Sequence, residues 1–457
     1  MRSAGILLPI FSLPSKYGIG SFSIEALDFI DFLVDAGQKY WQILPLVIPG
    51  PCDSPYQSIS TFAGNPYFID LDKLVYQRLL TVKEVNDCDW GERYSDKVDY
   101  EKVRKNKDKL LRLAFSRSNH YKDPWFLDFC KKNDYWLKDY CYYMAFKENE
   151  NPEYYKFEQF IFDQQWMIIK AYANYKGIEI IGDLPIYVAM DSVDVYYNKE
   201  IFELEDGKLS RVAGCPPDDS SIDGQKWGNP LYDWDKNKET GYDWWIKRIK
   251  HCFDLYDIVR LDHFRGFYDY FSIPIDGPVK DGEWKLGPSI DLFNKIKEEL
   301  GELNFIAEDL GYLTPGVHEL LAQTGFPGMK ILHFAFNGGD DNPYLPENIN
   351  TNNCVIYTGT HDNDTTIGWY KKANDWEKKR FRDIVGRGNP SWRMIDLAMS
   401  TVADMCIIQM QDYLELGTED RVNTPGTISG NWQWRMKDIP CTELSDKIKE
   451  LTKKHNR

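Results

Sequence analysis

Apolar residues recur along the chain with two different periods. Residues 3–8 form one short apolar run and residues 40–45 another, each predicting a buried strand. Between them, residues 23–36 carry Ala26, Phe29, Ile30 and Leu33 at i, i+3, i+4 and i+7, the spacing of one helix face. Strand, helix and strand in that order predict parallel strands joined by helical crossovers.

The pattern then breaks and resumes. Residues 46–75 are rich in Gly, Pro, Ser and Asp and read as loop. Residues 76–155 are charged and aromatic, with helical stretches such as 103–115, and read as an inserted, mainly helical subdomain. Helix 157–176 leads into strand 178–184, and a polar active-site loop insertion follows at about 187–240. Helix 243–253 leads to strand 257–262, and helix 289–300 to strand 304–308. Further strands are expected at 329–334, 354–357 and 405–410, the last preceded by helix 392–403. Eight strands alternating with helices predict an α/β fold, a (β/α)8 TIM barrel with helical and loop insertions, residues 1–457 forming one catalytic domain. A doubly wound open sheet is the alternative. No Gly-rich phosphate loop follows the first strand, so nucleotide binding has no support.

Charge narrows the ligand. The net charge of −16 offers no basic surface to nucleic acid or to an anionic membrane, and a neutral ligand fits it better than an acidic one. Aromatic residues make up 15% of the chain, including 15 Trp and 29 Tyr. Such rings stack on the C–H faces of sugars, and equally serve as plain core. The nine cysteines are scattered from Cys52 to Cys441 without a C-x-x-C pair. That predicts neither a disulfide framework nor a structural zinc site, and a cytoplasmic location. The apolar start from Ala4 to Phe11 follows Arg2 as a signal peptide would, but Pro9 interrupts it and no cleavage site stands out. No apolar run approaches the length of a membrane span.

Four strand ends carry candidate chemistry. In 257–262, alternation puts Ile258, Arg260 and Asp262 on one face and Val259 and Leu261 on the other. The apolar pair suits the interface with the outer helices, so the charged pair points into the barrel at its carboxyl end, where barrel enzymes do chemistry. There Arg260 holds Asp262 ionised for nucleophilic attack, or the two form a structural ion pair. In 305–311, Glu308 ends the next strand. It either faces Asp262 across the roughly 5–5.5 Å of a retaining glycosidase, where the neighbouring negative charge raises its pKa and keeps it protonated, or opens an acidic helix start. The run from Thr358 to Thr365 places His361 and Asp362 after a strand, as sugar ligands or as part of a His-Asp-x-Asp metal site. Asp183 ends another strand, as a ligand or as a turn residue.

Taken together, these segments resemble the amylomaltase (4-α-glucanotransferase) family, glycoside hydrolase family 77 of the α-amylase superfamily. The similarity extends to Asp53-Ser54-Pro55-Tyr56-Gln57-Ser58, Phe62-Ala63-Gly64-Asn65-Pro66, Gly224-Gln225-Lys226-Trp227-Gly228-Asn229-Pro230, Gln411-Asp412, and Asn423-Thr424-Pro425-Gly426-Thr427 with Asn431-Trp432. It runs collinearly from about residue 3 to 435. It implies a TIM barrel without cofactor or metal that transfers α-1,4-glucan segments between malto-oligosaccharides, from starch or glycogen, by a retaining double displacement. By it Asp262 is the nucleophile, Glu308 the acid/base and Asp362 the transition-state stabiliser. Arg260, His263 and His361 flank the cleaved sugar, and Tyr56, Asp183, Asp218, Gln225, Trp227 and Asn423 line neighbouring subsites.

Two positions depart from the family pattern. Ser21 stands where Asp is usual, and Ser220 stands where an aromatic commonly covers the acceptor side. The loss at Ser220 keeps an α-1,4-glucan hydrolase as the alternative activity. A non-catalytic glucan-binding protein is a more distant one, since all three carboxylates are present.

Overall fold

The computed structural model describes residues 2–92, 95–217 and 223–457. Eight strands close into a barrel: β1 (Ser3–Leu7), β2 (Tyr40–Gln42), β3 (Glu179–Leu184), β4 (Ile258–Leu261), β5 (Phe305–Ala307), β6 (Gly328–Ile331), β7 (Cys354–Tyr357) and β8 (Met405–Gln409). Each strand pairs in parallel with its neighbours in chain order, and β8 closes on β1 through five residue pairs from Ser3 with Met405 to Leu7 with Gln409. Several strands are a residue or more shorter than the apolar runs that predict them. Pro45 cannot donate to a ladder. After β6 the chain turns into a 3-10 helix at Leu332–Phe334.

The period-2 alternation separates two cores. Leu7, Ile181, Ile258, Ile306, Met329, Val355, Tyr357 and Ile407 fill the barrel interior. Ile6, Ile180, Val259, Leu261, Phe305, Ala307, Ile356, Cys406 and Ile408 face the outer helices. Side chains two residues beyond an interior residue also point inward. That rule carries Asp183 (from Ile181), Arg260 (from Ile258) and Glu308 (from Ile306) to the inner face at the strands' carboxyl ends.

The insertions come from long connections. Between β2 and β3 lie helices Tyr100–Arg117, Pro124–Lys132 and Asp134–Glu148, then the crossover helix Pro152–Tyr175. That last helix starts where Asn151 caps the backbone of Glu153 and Pro152 occupies the first turn. The final helix, Thr442–Lys454, returns to pack on the first, Ile24–Asp35.

A second sheet is among the elements that the pattern does not anticipate. The segment read as a polar loop at 187–240 contains strands Arg211–Cys215 and Gln225–Lys226. They join Asp269–Pro274 and Glu283–Leu286 in an antiparallel four-stranded sheet. Arg211–Cys215 pairs with a strand from the next excursion of the barrel, so no local hairpin signal announces it.

Candidate active site

The ends of β4 and β5 lie side by side. Leu261 pairs with Ala307, and the ladder runs on as Glu308 donates its N–H to the Leu261 carbonyl (3.1 Å) and Phe264 donates to the Glu308 carbonyl (3.1 Å). Asp262 and Glu308 therefore stand on adjacent strand ends, one step beyond the last pair. Between them His263 adopts a left-handed backbone, φ 50° and ψ 51°, which a residue with a Cβ adopts at a cost. That turn aims the His263 N–H at Glu308 Oε2, 2.7 Å away, while Leu310 N–H reaches Oε1 at 3.2 Å.

Arg260 organises the carboxylates on the other side. Its Nη1 donates to both oxygens of Asp183, at 2.9 and 2.7 Å, and to Asp262 Oδ1 at 3.0 Å. Burial works against the Arg260 charge, but Asp183 and Asp262 outweigh it and hold the guanidinium protonated. The Asp183 side chain is 0% exposed, whereas that of Asp262 is 26% exposed. The resemblance places Asp183 along a subsite. In the structure it lies beneath the site, its oxygens taken by Arg260 and by the Tyr56 hydroxyl at 2.8 Å. The Gly182 before it packs so close to Tyr256 that an added Cβ would sit 2.2 Å from the ring.

Glu308 and Asp362 titrate in opposite directions. Burial pushes the Glu308 carboxyl up to about 8; Arg260 opposes this, and the Asp262 charge adds to it. The neighbouring charge invoked from sequence is thus the lesser cause. For Asp362 burial alone would raise the carboxyl, yet His361 and the amide of Asn423 hold it well below the usual carboxylate range. Asn423 Nδ2 donates to Asp362 Oδ1 at 2.6 Å, and His361 Nε2 lies 3.3 Å from Oδ2. The Asp362 side chain remains 41% exposed.

The histidines are held by aromatic rings. Tyr56 stacks on His361 with centroids 5.3 Å apart, and its hydroxyl is 2.9 Å from His361 Nε2. Since that hydroxyl gives its proton to Asp183, it accepts from His361 Nε2. Trp227 meets His263 edge-on at 5.0 Å, and burial lowers the His263 imidazole to about 4, so it is neutral near pH 7. Gln225 Oε1 accepts from the Trp227 indole at 3.0 Å.

The structure thus brings Tyr56, Asp183, Arg260, Asp262, His361, Asp362 and Asn423 into one bonded set, with Glu308, His263, Trp227 and Gln225 linked to it through the 262–264 turn. Asp218 and Ser220 lie outside the described residues. In the His-Asp-x-Asp run, Asp364 turns away from Asp362 and pairs with Lys372 at 2.6 Å. Trp432, part of the family pattern but given no role from sequence, packs on Tyr56; sequence reasoning missed Tyr187, which packs on Trp227, and Arg421, which donates to the carbonyls of Asp362 (2.8 Å) and Asn423 (2.7 Å). Nothing in their local spacing marks them.

Comparison with known proteins gives a consistent match. The family model described as 4-alpha-glucanotransferase, glycoside hydrolase 77, matches residues 8–153 and 148–442. A 4-alpha-glucanotransferase of Clostridium butyricum is 45% identical, covering 98% of this chain and 99% of its own. One from Streptococcus pneumoniae is 44% identical, covering 100% and 97%. The amylomaltase of Streptococcus agalactiae, solved in complex with acarbose, superposes with a TM-score of 0.95 at 38% identity over 100% of both chains.

Proposed function

The chain belongs to the 4-α-glucanotransferase family, glycoside hydrolase family 77, and on that premise we propose that Asp262 is its nucleophile, Glu308 its general acid and base, and Asp362 the stabiliser of its transition state. It is an enzyme of the 4-α-glucanotransferase type, and its substrates are α-1,4-glucans and malto-oligosaccharides, including those derived from starch or glycogen. The observation that carries the assignment is the pair on adjacent strand ends: one carboxylate bound by Arg260, the other raised to about 8 by burial.

The chemistry follows from those states. Protonated Glu308 gives its proton to the glycosidic oxygen as the Asp262 carboxylate attacks the anomeric carbon. The C1–O bond breaks, the reducing-end fragment leaves with a new hydroxyl, and a β-glucosyl ester remains on Asp262. A sugar 4-hydroxyl then attacks the same carbon, gives its proton to Glu308 and releases Asp262, so an α-1,4 bond re-forms. Asp362, held ionised and half open to the cleft, faces the positive charge that develops on the ring. Neutral His263 offers a hydrogen bond to a hydroxyl of the same sugar, His361 flanks it by setting the Asp362 carboxylate, and Trp227 offers a stacking face beside them.

The relatives named above are transferases, which weighs against the hydrolase alternative. The cysteines are scattered along the chain without a C-x-x-C pair, which supports a cytoplasmic location. Incubation with maltotriose tests the activity: transfer gives a ladder of longer oligosaccharides at constant total reducing ends. A steady rise in reducing ends with only shorter products means hydrolysis.

A further inference from the structure

We propose that Asp412, a fully buried carboxylate behind the site, is a positioning residue for the transfer reaction, fixing both ends of the loop that carries His361 and Asp362. The proposal rests on the functional reading above.

Asp412 follows β8 directly, in the short helix Met410–Tyr413, and is 0% exposed. Its Oδ2 accepts from the Thr358 hydroxyl at 2.6 Å, at the leading end of the loop. The trailing end is held twice: Thr366 donates its N–H to Oδ1 at 2.7 Å and its hydroxyl to Oδ2 at 2.8 Å. Gln409 Nε2 spans Oδ2 (3.3 Å) and the Asp364 carbonyl (3.0 Å), adding a tie inside the loop. The Asp412 carbonyl takes the Ser391 hydroxyl at 2.6 Å, which anchors the carboxylate to the outer helix Pro390–Ser400.

Residues 359–365 are thus a span pinned at both ends by one side chain. Thr366 has a single hydroxyl proton and spends it on Asp412, so it accepts from His333 Nε2 at 3.0 Å. Burial lowers the His333 imidazole to about 3, and its ring lies flat on Trp369, 5.4 Å away and 1° from parallel. The loop therefore rests on a rigid, buried polar network in which the contacts to Asp412 are neutral donors. A network of this kind specifies one arrangement only while every member is satisfied. Loops anchored by it hold reacting groups to within tenths of an ångström, where a displacement of about 1 Å costs on the order of 10²-fold in rate.

Asparagine at 412 is nearly isosteric but cannot accept on both sides. Its amide nitrogen faces either the Thr366 N–H or the Thr358 and Thr366 hydroxyls with Gln409 Nε2. The Thr366 N–H is fixed as a donor, and Gln409 can turn its amide oxygen toward the new NH2 only by giving up its bond to the Asp364 carbonyl, so the substitution forces the loop to shift.

The test compares kcat and KM on maltotriose, with thermal melting, for the wild type, Asp412→Asn, Thr358→Val and Thr358→Ser. Positioning predicts a kcat loss of about 10²-fold in D412N and about 10-fold in T358V, with KM changed less than about threefold. T358S, which keeps the hydroxyl, recovers to within about threefold of wild type. Variants that melt earlier yet keep kcat per folded molecule overturn the inference. Should D412N not fold, the Thr358 pair decides: equal kcat for T358V and T358S overturns it. An inactive wild type instead overturns the functional reading, and this inference with it.

Discussion

Nη1 of Arg260 lies 3.0 Å from Oδ1 of Asp262, two residues further along the same inner face of one strand. The same nitrogen binds Asp183, 2.7 Å away and fully buried. One guanidinium thus serves both the fully buried Asp183 and the part-exposed Asp262, the proposed nucleophile.

Arg260→Lys keeps the charge but loses the fixed fork of donors. Steady-state kinetics on maltotriose should show kcat down by about 10²-fold, since the shorter, flexible lysine does not hold its ammonium where Nη1 stands between Asp183 and Asp262. Arg260→Met leaves Asp183 buried and unpaired, and urea unfolding should register a loss of about 3–5 kcal/mol. Unchanged stability would show that Asp183 does not depend on this partner.

Glu308 sets a pH dependence of defined sign. Its folded-state value of about 8 lies above its ordinary 4.5, so the folded chain keeps a proton that the unfolded chain has released across that interval. Its contribution to stability is fully present below pH 4.5 and is lost as pH rises through 8. Gln does not titrate, so Glu308→Gln should melt higher than wild type at pH 8, and the gap should close below pH 4.5. In the wild type, kcat/KM should fall on the alkaline side near pH 8 as the acid loses its proton.

Tyr56 links the two halves of the site, with its hydroxyl 2.8 Å from Asp183 and 2.9 Å from His361. Tyr56→Phe keeps the ring stack on His361 and removes only that link. Kinetics should show kcat/KM reduced by about 10–100-fold, and urea unfolding a cost of about 1–3 kcal/mol for the unpaired buried acceptor. A variant indistinguishable from wild type in both would remove the hydroxyl from the account.

The barrel was legible because burial on both faces leaves near-continuous apolar strands, and the alternation in 257–262 sorted Arg260 and Asp262 inward before any coordinates. Glu308 was legible only as the end of the next apolar strand; its inward turn follows from Ile306, two residues earlier, which the structure places in the barrel interior. What stayed illegible depends on distance in sequence. The strand Arg211–Cys215 finds its partner in Asp269–Pro274, in a separate excursion, so the polar segment around it read as loop. Asp183 looked like a turn residue or a subsite wall because nothing local shows that Arg260, on the neighbouring strand, closes over it. Arg421 and Asp412 act on the His361–Asp362 loop from the far end of the chain, through contacts that no spacing rule encodes. For Glu308 the sequence pointed to charge repulsion, whereas burial, which depends on the whole fold, contributes more.

The most direct test of the central claim is covalent trapping on Asp262. Glu308→Gln removes the proton donor, and α-maltosyl fluoride supplies a leaving group that needs none. Asp262 attack on the anomeric carbon expels fluoride, and the missing base slows the second step, so the ester should accumulate. Denaturing mass spectrometry with peptide mapping should then find a maltosyl adduct on the peptide carrying Asp262, absent in a double variant with Asp262→Asn. An adduct on another carboxylate, or turnover of the fluoride without any adduct in E308Q and undiminished in the double variant, would contradict the assignment.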